Sequence, residues 1–189
     1  MSMTLDAGPA LRKALFLDRD GVINVDHGYV HLPEQVEFCA GIFELVRRAR
    51  ALGYAVVVVT NQAGIGRGLY TEADLDRLTA WMSAEFARRD APIDRFYHCP
   101  CHPEHGVGAY RRESPMRKPN PGMLLLAAQE LNLALTESVM VGDKGSDILA
   151  GQRAGVARTI RVGRPGTEDD MPVQADIAVD AVADVAQYL

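Results

Sequence analysis

The run Ala14-Leu15-Phe16-Leu17-Asp18-Arg19-Asp20-Gly21-Val22 ends an apolar stretch on two carboxylates spaced i, i+2, with glycine directly after. A carboxylate can ligate a metal, attack as a nucleophile or move a proton. Two of them with a cation between can do all three. Three later signals share the pattern: Thr60-Asn61-Gln62, Lys118-Pro119, and Gly142-Asp143-Lys144 with Asp147. Taken singly, each has a plainer reading. An aspartate after a strand is a turn former or helix cap, and a lone lysine is a solvated charge. Taken in order they say more, because the first, second and fourth each follow an apolar run. Open α/β sheets bind ligands beyond the carboxyl ends of their strands, so the three would meet at one edge. Asp147, four residues after Asp143, could orient a metal-bound water or Lys144, or could serve only as a charge at a helix start.

The elements that must position these residues follow from periodicity. Lys13 to Leu17 reads as a first strand, Tyr54 to Val59 as a second, with Phe96 to His98, Val139 to Val141, Thr159 to Val162 and Ile177 to Val179 after them. The second is β-branched on both faces, as in a parallel sheet covered on both sides. Ile42, Leu45, Val46, Ala49 and Leu52 recur at helical spacing, and Gly53 closes that helix. Thr71 is placed to cap a helix from Glu72 to Arg89, with Asp74 as its partner. Further helices are expected over Pro121 to Leu131 and Ser146 to Ala154, and the C-terminus reads as helical. The segment Val22 to Phe38 has no helical period and reads as an excursion beside the first strand, open to a small hairpin. "TNQAGIGRG" and Cys99 to Pro119 read as loops. Alternating β and α predicts a three-layer α/β/α, Rossmann-like arrangement around a parallel sheet. Residues 1–12 read as a flexible lead-in and 13–189 as one domain.

The bulk properties narrow the classes. The chain has 189 residues, 48% hydrophobic and 24% charged, as in an ordinary globular domain. Its net charge of −5 argues against a broad nucleic-acid footprint, so an anionic substrate needs a local basic site. No apolar run is long enough to span a membrane, and the start does not read as a secretory signal. Its 3 cysteines are too few for a disulfide framework, which points to a reducing, cytoplasmic setting. A monomer is the expectation.

D-x-D-G-V, a strand ending in Thr60, Lys118 and G-D-x3-D, in that order, resemble the haloacid-dehalogenase-like (HAD) phosphohydrolases from Leu15 to about Gly163. The resemblance implies a Mg²⁺-dependent phosphatase. Asp18 would attack phosphorus to form an aspartyl phosphate. Asp20 would be acid and then base, contributing its backbone carbonyl to the metal. Asp143 would be the remaining carboxylate ligand of Mg²⁺. Thr60 and Lys118 would bind phosphoryl oxygens, with Asn61 a further donor. A phospho-switch of the receiver type, which also sets Asp, Thr and Lys at strand ends, is the distant alternative.

"LDRDGVIN", "TNQAGIGRG", "CPCHP", "MRKPNPGM" and "VGDKGSDILAGQRAGV" resemble more narrowly the group of heptose-bisphosphate phosphatases and histidinol-phosphatase domains. This implies a domain without a large cap, acting on the 7-phosphate of a heptose 1,7-bisphosphate. Histidinol phosphate or a range of sugar phosphates are the alternatives. A bisphosphate needs a second anion site, for which Arg67 and Arg117 are candidates. The group's pattern also implies a structural zinc on Cys-x-His and a later Cys-x-Cys, and here Ser114 and Met116 replace the second pair. Two readings stay open. Cys99, Cys101, His102 and His105 could hold Zn²⁺ as a local substitute, or prolines and packing could hold the loop.

Overall fold

The structure is a computed structural model that describes residues 11–163 and 171–189. Most of the lead-in expected over 1–12 therefore lies outside the described residues; Arg12, at its end, bridges to Leu133.

Six parallel strands form one sheet in the order β3-β2-β1-β4-β5-β6. They are β1 (Ala14–Leu17), β2 (Ala55–Asn61), β3 (Arg95–Cys99), β4 (Val139–Gly142), β5 (Arg158–Val162) and β6 (Ile177–Val179). Among the described residues, five α-helices accompany them: α1 (Ile42–Ala51), α2 (Ala63–Gly66), α3 (Glu72–Arg88), α4 (Gly122–Leu131) and α5 (Gly145–Ala154). This is the Rossmann-type order, whereas receiver folds run 2-1-3-4-5, so the topology sets the phospho-switch aside.

Each central strand sends alternate residues to opposite faces. Leu15, Leu17, Val56 and Val58 pack with Ile42, Leu45 and Val46 of α1 and with Leu78, Met82 and Phe86 of α3. Ala14, Phe16, Val57 and Val59 pack with Met123, Leu124 and Ala127 of α4 and with Ala150 and Ala154 of α5. Burial on both faces explains why β1 and β2 read as unbroken apolar runs. The Thr71 hydroxyl accepts the Asp74 N–H and the Asp74 carboxylate accepts the Thr71 N–H, the reciprocal cap expected for α3.

Three local expectations change. The "TNQAGIGRG" stretch contains α2, four residues long and too short to display a helical period. The C-terminal segment is a 3₁₀ run, Val182–Tyr188. The excursion after β1 is not a regular hairpin: Asn24 bridges both Asp20 and Phe38, and a 3₁₀ turn follows at Pro33–Gln35. This excursion and the segment after β3 both leave the carboxyl edge, and neither is a cap domain. Among the described residues, no helix is long and apolar enough to cross a membrane.

Candidate active site

The register β2-β1-β4 sets the ends of three neighbouring strands side by side. Asp18 directly follows β1, Thr60 and Asn61 end β2, and Asp143 directly follows β4. Asp18, Asp20, Thr60, Asn61, Lys118, Lys144 and Asp147 line a cleft of about 340 Å³ at this edge.

Lys118 is the organising cation. Its Nζ lies 2.7 Å from Asp18 Oδ1, 2.6 Å from Asp147 Oδ1 and 2.8 Å from the Val59 carbonyl oxygen. All three side chains are buried. Burial alone would pull the ammonium down, but Asp147 and Asp18 outweigh it and hold Lys118 above its ordinary value. Burial raises Asp18, against the pull of Lys118. Asp147 meets Lys144 through the backbone, accepting its N–H at 3.0 Å as the cap of α5. Its bond to Lys118 was not foreseen. The approach is possible because residue 142 is glycine: a Cβ there would lie 2.1 Å from Asp147 Cβ.

Asn61 forms a two-bond clamp on Lys118. Its Nδ2 donates to the Lys118 carbonyl and its Oδ1 accepts the Lys118 N–H, both at 3.0 Å. The side chain expected to donate to a phosphoryl group thus fixes the backbone of Lys118, for which the same role is expected.

Asp20 is held from three directions. Arg19, itself buried, forks onto both carboxylate oxygens at 2.7–3.1 Å. Asn24 donates to Oδ1 at 3.0 Å and Gln62 to Oδ2 at 3.1 Å. Sequence reasoning missed Arg19, Asn24 and Gln62. Gln62 carried a signal, since Thr60 and Gln62 are spaced i, i+2 at the end of a strand.

Asp143 meets the requirements of a metal ligand. Its Oδ1 is buried without a hydrogen-bond partner in the described protein. Burial, then the Asp18 charge, hold it at about 7. Ligand atoms of Asp18, Asp143 and Asp147 lie within 4.8 Å of one another. An all-oxygen anionic set suits a hard divalent cation. Asp147 already spends one oxygen on Lys118 and the other on the Lys144 N–H, so Asp18 and Asp143 are the better donors. Gly21 makes room for them: its φ is +96°, and a Cβ would lie 2.3 Å from Asp143 Oδ2. Lys144 reaches across to Asp26 at 3.0 Å and sits 3.9 Å from Asp143, tying the excursion to the β4 end.

Arg67 and Arg117 are not among the residues lining the cleft. Arg67 lies 5.7 Å over the ring of Tyr29, which does line it. Arg117 donates to the Cys101 carbonyl oxygen at 3.2 Å, and burial, with Arg67 adding to it, lowers its guanidinium below the ordinary value. Both arginines also lower the neighbouring His102, after burial.

The four expected zinc ligands do not come together among the described residues. Cys99 and Cys101 are buried in the sheet-face core with Tyr97, and Met116 packs against them. Ser114, in place of a cysteine, hydrogen-bonds Cys99. Arg112 Nε donates to Cys101 Sγ at 3.4 Å. His102 Nδ1 is taken by the N–H groups of Glu104 and His105, at 3.2 and 3.1 Å. Packing and hydrogen bonds hold this loop, which corrects the zinc reading.

A HAD-hydrolase-like family model matches residues 115–187. The D-glycero-alpha-D-manno-heptose-1,7-bisphosphate 7-phosphatase of Burkholderia mallei is 59% identical over 150 residues, 79% of each chain. The D-glycero-beta-D-manno-heptose-1,7-bisphosphate 7-phosphatase of Vibrio cholerae is 47% identical, covering 94% of this chain and 96% of its own. Among solved structures, D,D-heptose 1,7-bisphosphate phosphatase from B. bronchiseptica, in complex with magnesium and phosphate, superposes with a TM-score of 0.79. It shares 28% identity, over 93% of this chain and 97% of that one.

Proposed function

This chain is a phosphatase of the HAD-like family, and from that premise we propose that it removes the 7-phosphate of a D-glycero-D-manno-heptose 1,7-bisphosphate through an aspartyl phosphate on Asp18. The observation that carries the mechanism is the meeting of Asp18, Asp20, Thr60 and Lys118 on one cleft. The names of the similar enzymes support the substrate.

Asp18 attacks phosphorus through a carboxylate oxygen, and the bond from phosphorus to the sugar oxygen breaks. Asp20 gives that oxygen its proton. Asp20 then takes a proton from water, which attacks the aspartyl phosphate, releases inorganic phosphate and restores the Asp18 carboxylate. Lys118 and Thr60 hold phosphoryl oxygens, and Asn61 keeps Lys118 in place. Asp18, Asp143 and the Asp20 carbonyl would hold Mg²⁺, which when bound offsets phosphoryl charge and keeps Asp18 ionised. Arg67, over the ring of cleft-lining Tyr29, and Arg117, next to Lys118 in sequence, are the candidates for the distal phosphate.

The test is a panel with Mg²⁺: both heptose 1,7-bisphosphate anomers, histidinol phosphate and fructose 1,6-bisphosphate. A heptose bisphosphate should lead in kcat/KM by about a hundredfold, as expected when a site's charged groups are matched by one substrate alone. Comparable values across the panel would defeat the substrate assignment.

A further inference from the structure

Gln62 and Tyr70 line the cleft, yet neither has a role in the chemistry above. Gln62 is buried, and its amide is fully engaged. Nε2 donates to Asp20 Oδ2 at 3.1 Å and to Thr60 Oγ1 at 2.8 Å, while Oε1 accepts the Tyr70 hydroxyl. The acceptor-only Asp20 carboxylate decides which way the amide faces, and the Tyr70 hydroxyl anchors its oxygen end. Reversed, the amide would aim its oxygen at the Asp20 carboxylate and at Thr60. Tyr70 is itself fixed: the His31 ring stacks on it at 4.8 Å, and burial pushes its hydroxyl to about 12, which keeps it a neutral donor.

The bond to Thr60 has a second effect. A hydroxyl has one hydrogen. Because Thr60 Oγ1 accepts from Gln62, its own hydrogen is left for donation elsewhere, and Thr60 faces the cleft. One amide therefore orients both the carboxyl group beside the leaving oxygen and the hydroxyl beside the phosphoryl group.

We propose that Tyr70 and Gln62 are positioning residues, Tyr70 anchoring the Gln62 amide and Gln62 aligning Asp20 and Thr60 together. This rests on the reading of Asp20 as proton donor. Its consequence is selective. A sugar alkoxide needs a proton to leave, whereas nitrophenolate does not. Misaligning Asp20 therefore harms leaving-group release from a sugar phosphate more than from p-nitrophenyl phosphate, while hydrolysis of the aspartyl phosphate is affected alike for both. Loss of packing alone would slow release from both substrates alike.

The experiment measures kcat/KM with Mg²⁺ on a sugar phosphate and on p-nitrophenyl phosphate, because kcat/KM reports the steps up to release of the leaving group and leaves out hydrolysis of the aspartyl phosphate, which both substrates share. Tyr70→Phe keeps the ring and its stack, and a melting curve checks its fold. It should lower kcat/KM on the sugar phosphate about tenfold more than on the aryl ester, the scale of one hydrogen bond. Gln62→Met should show the same selectivity, and adding Tyr70→Phe to it should cost nothing further, because the two act as one unit. Equal losses on both substrates, or additive losses in the double variant, would overturn the proposal. Asp20→Asn separates the two levels. If it shows the selective loss and Tyr70→Phe does not, only the positioning role fails. If it keeps sugar-phosphate turnover, the acid role fails and the positioning role with it.

Discussion

The Lys118 ammonium lies 2.7 Å from Asp18 Oδ1, a contact between residues 100 apart in the chain, and both side chains are buried. Asp147 completes the set, so one cation stands between two carboxylates. Removing it would leave two buried carboxylates without the cation that stands between them. Lys118→Met is therefore expected to destabilise the fold by about 3–5 kcal/mol as well as to abolish turnover. Chemical denaturation checks the first and an assay the second. A stable but inactive variant would mean that Lys118 serves substrate alone.

Gly21 is where the backbone yields space to Asp143. With φ at +96° and a Cβ placed 2.3 Å from Asp143 Oδ2, Gly21→Ala strains the turn and displaces the carboxylate. We expect weaker Mg²⁺ binding by calorimetry and a kcat lowered about ten- to a hundredfold. Unchanged Mg²⁺ affinity would count against Asp143 as a ligand.

Asp143 gives the site a pH dependence. In the unfolded chain it loses its proton near its ordinary 3.8, whereas in the fold it holds the proton to about 7. Between those values the folded state binds the extra proton, so without a cation stability falls as pH rises through the window. A divalent cation reverses the sign, because it takes the proton's place. The rise in Tm produced by Mg²⁺ should be larger at about pH 8 than at about pH 5.5. Equal rises at both would contradict the assignment.

The loop from Cys99 to His105 should behave as a packed loop. Adding a zinc chelator with Mg²⁺ in excess should leave Tm unchanged, because Ser114, Arg112 and the core hold Cys99 and Cys101. A chelator-induced drop in Tm, with zinc recovered at one equivalent, would restore the metal reading.

The sheet, its helices and the strand-end residues were legible because apolar periodicity and strand-end polarity are local signals. Asp18, Thr60 and Asp143 needed only a parallel sheet to bring them together. What closes the site was not legible, because it depends on partners far away in sequence. Asp147 sat one helical turn from Asp143, and nothing local said that it would meet Lys118. Asn61 looked like a donor to substrate until its amide was seen on the Lys118 backbone. Arg19, flanked by two aspartates, gave no sign that it would be buried and forked onto one of them. Of the two readings left open for the cysteine loop, packing is the one supported, because short spacing brings ligands near one another in sequence but hydrogen bonds and packing decide where they point.

Asp18 is the residue proposed to carry the phosphoryl group. The most direct measurement is to acid-quench the enzyme during turnover of a heptose 1,7-bisphosphate, reduce it with borohydride and map its peptides by mass spectrometry. Reduction of an aspartyl phosphate leaves homoserine. The account predicts homoserine at position 18 and nowhere else, with no turnover by Asp18→Asn. Homoserine at another aspartate, or sustained turnover by Asp18→Asn, would contradict it.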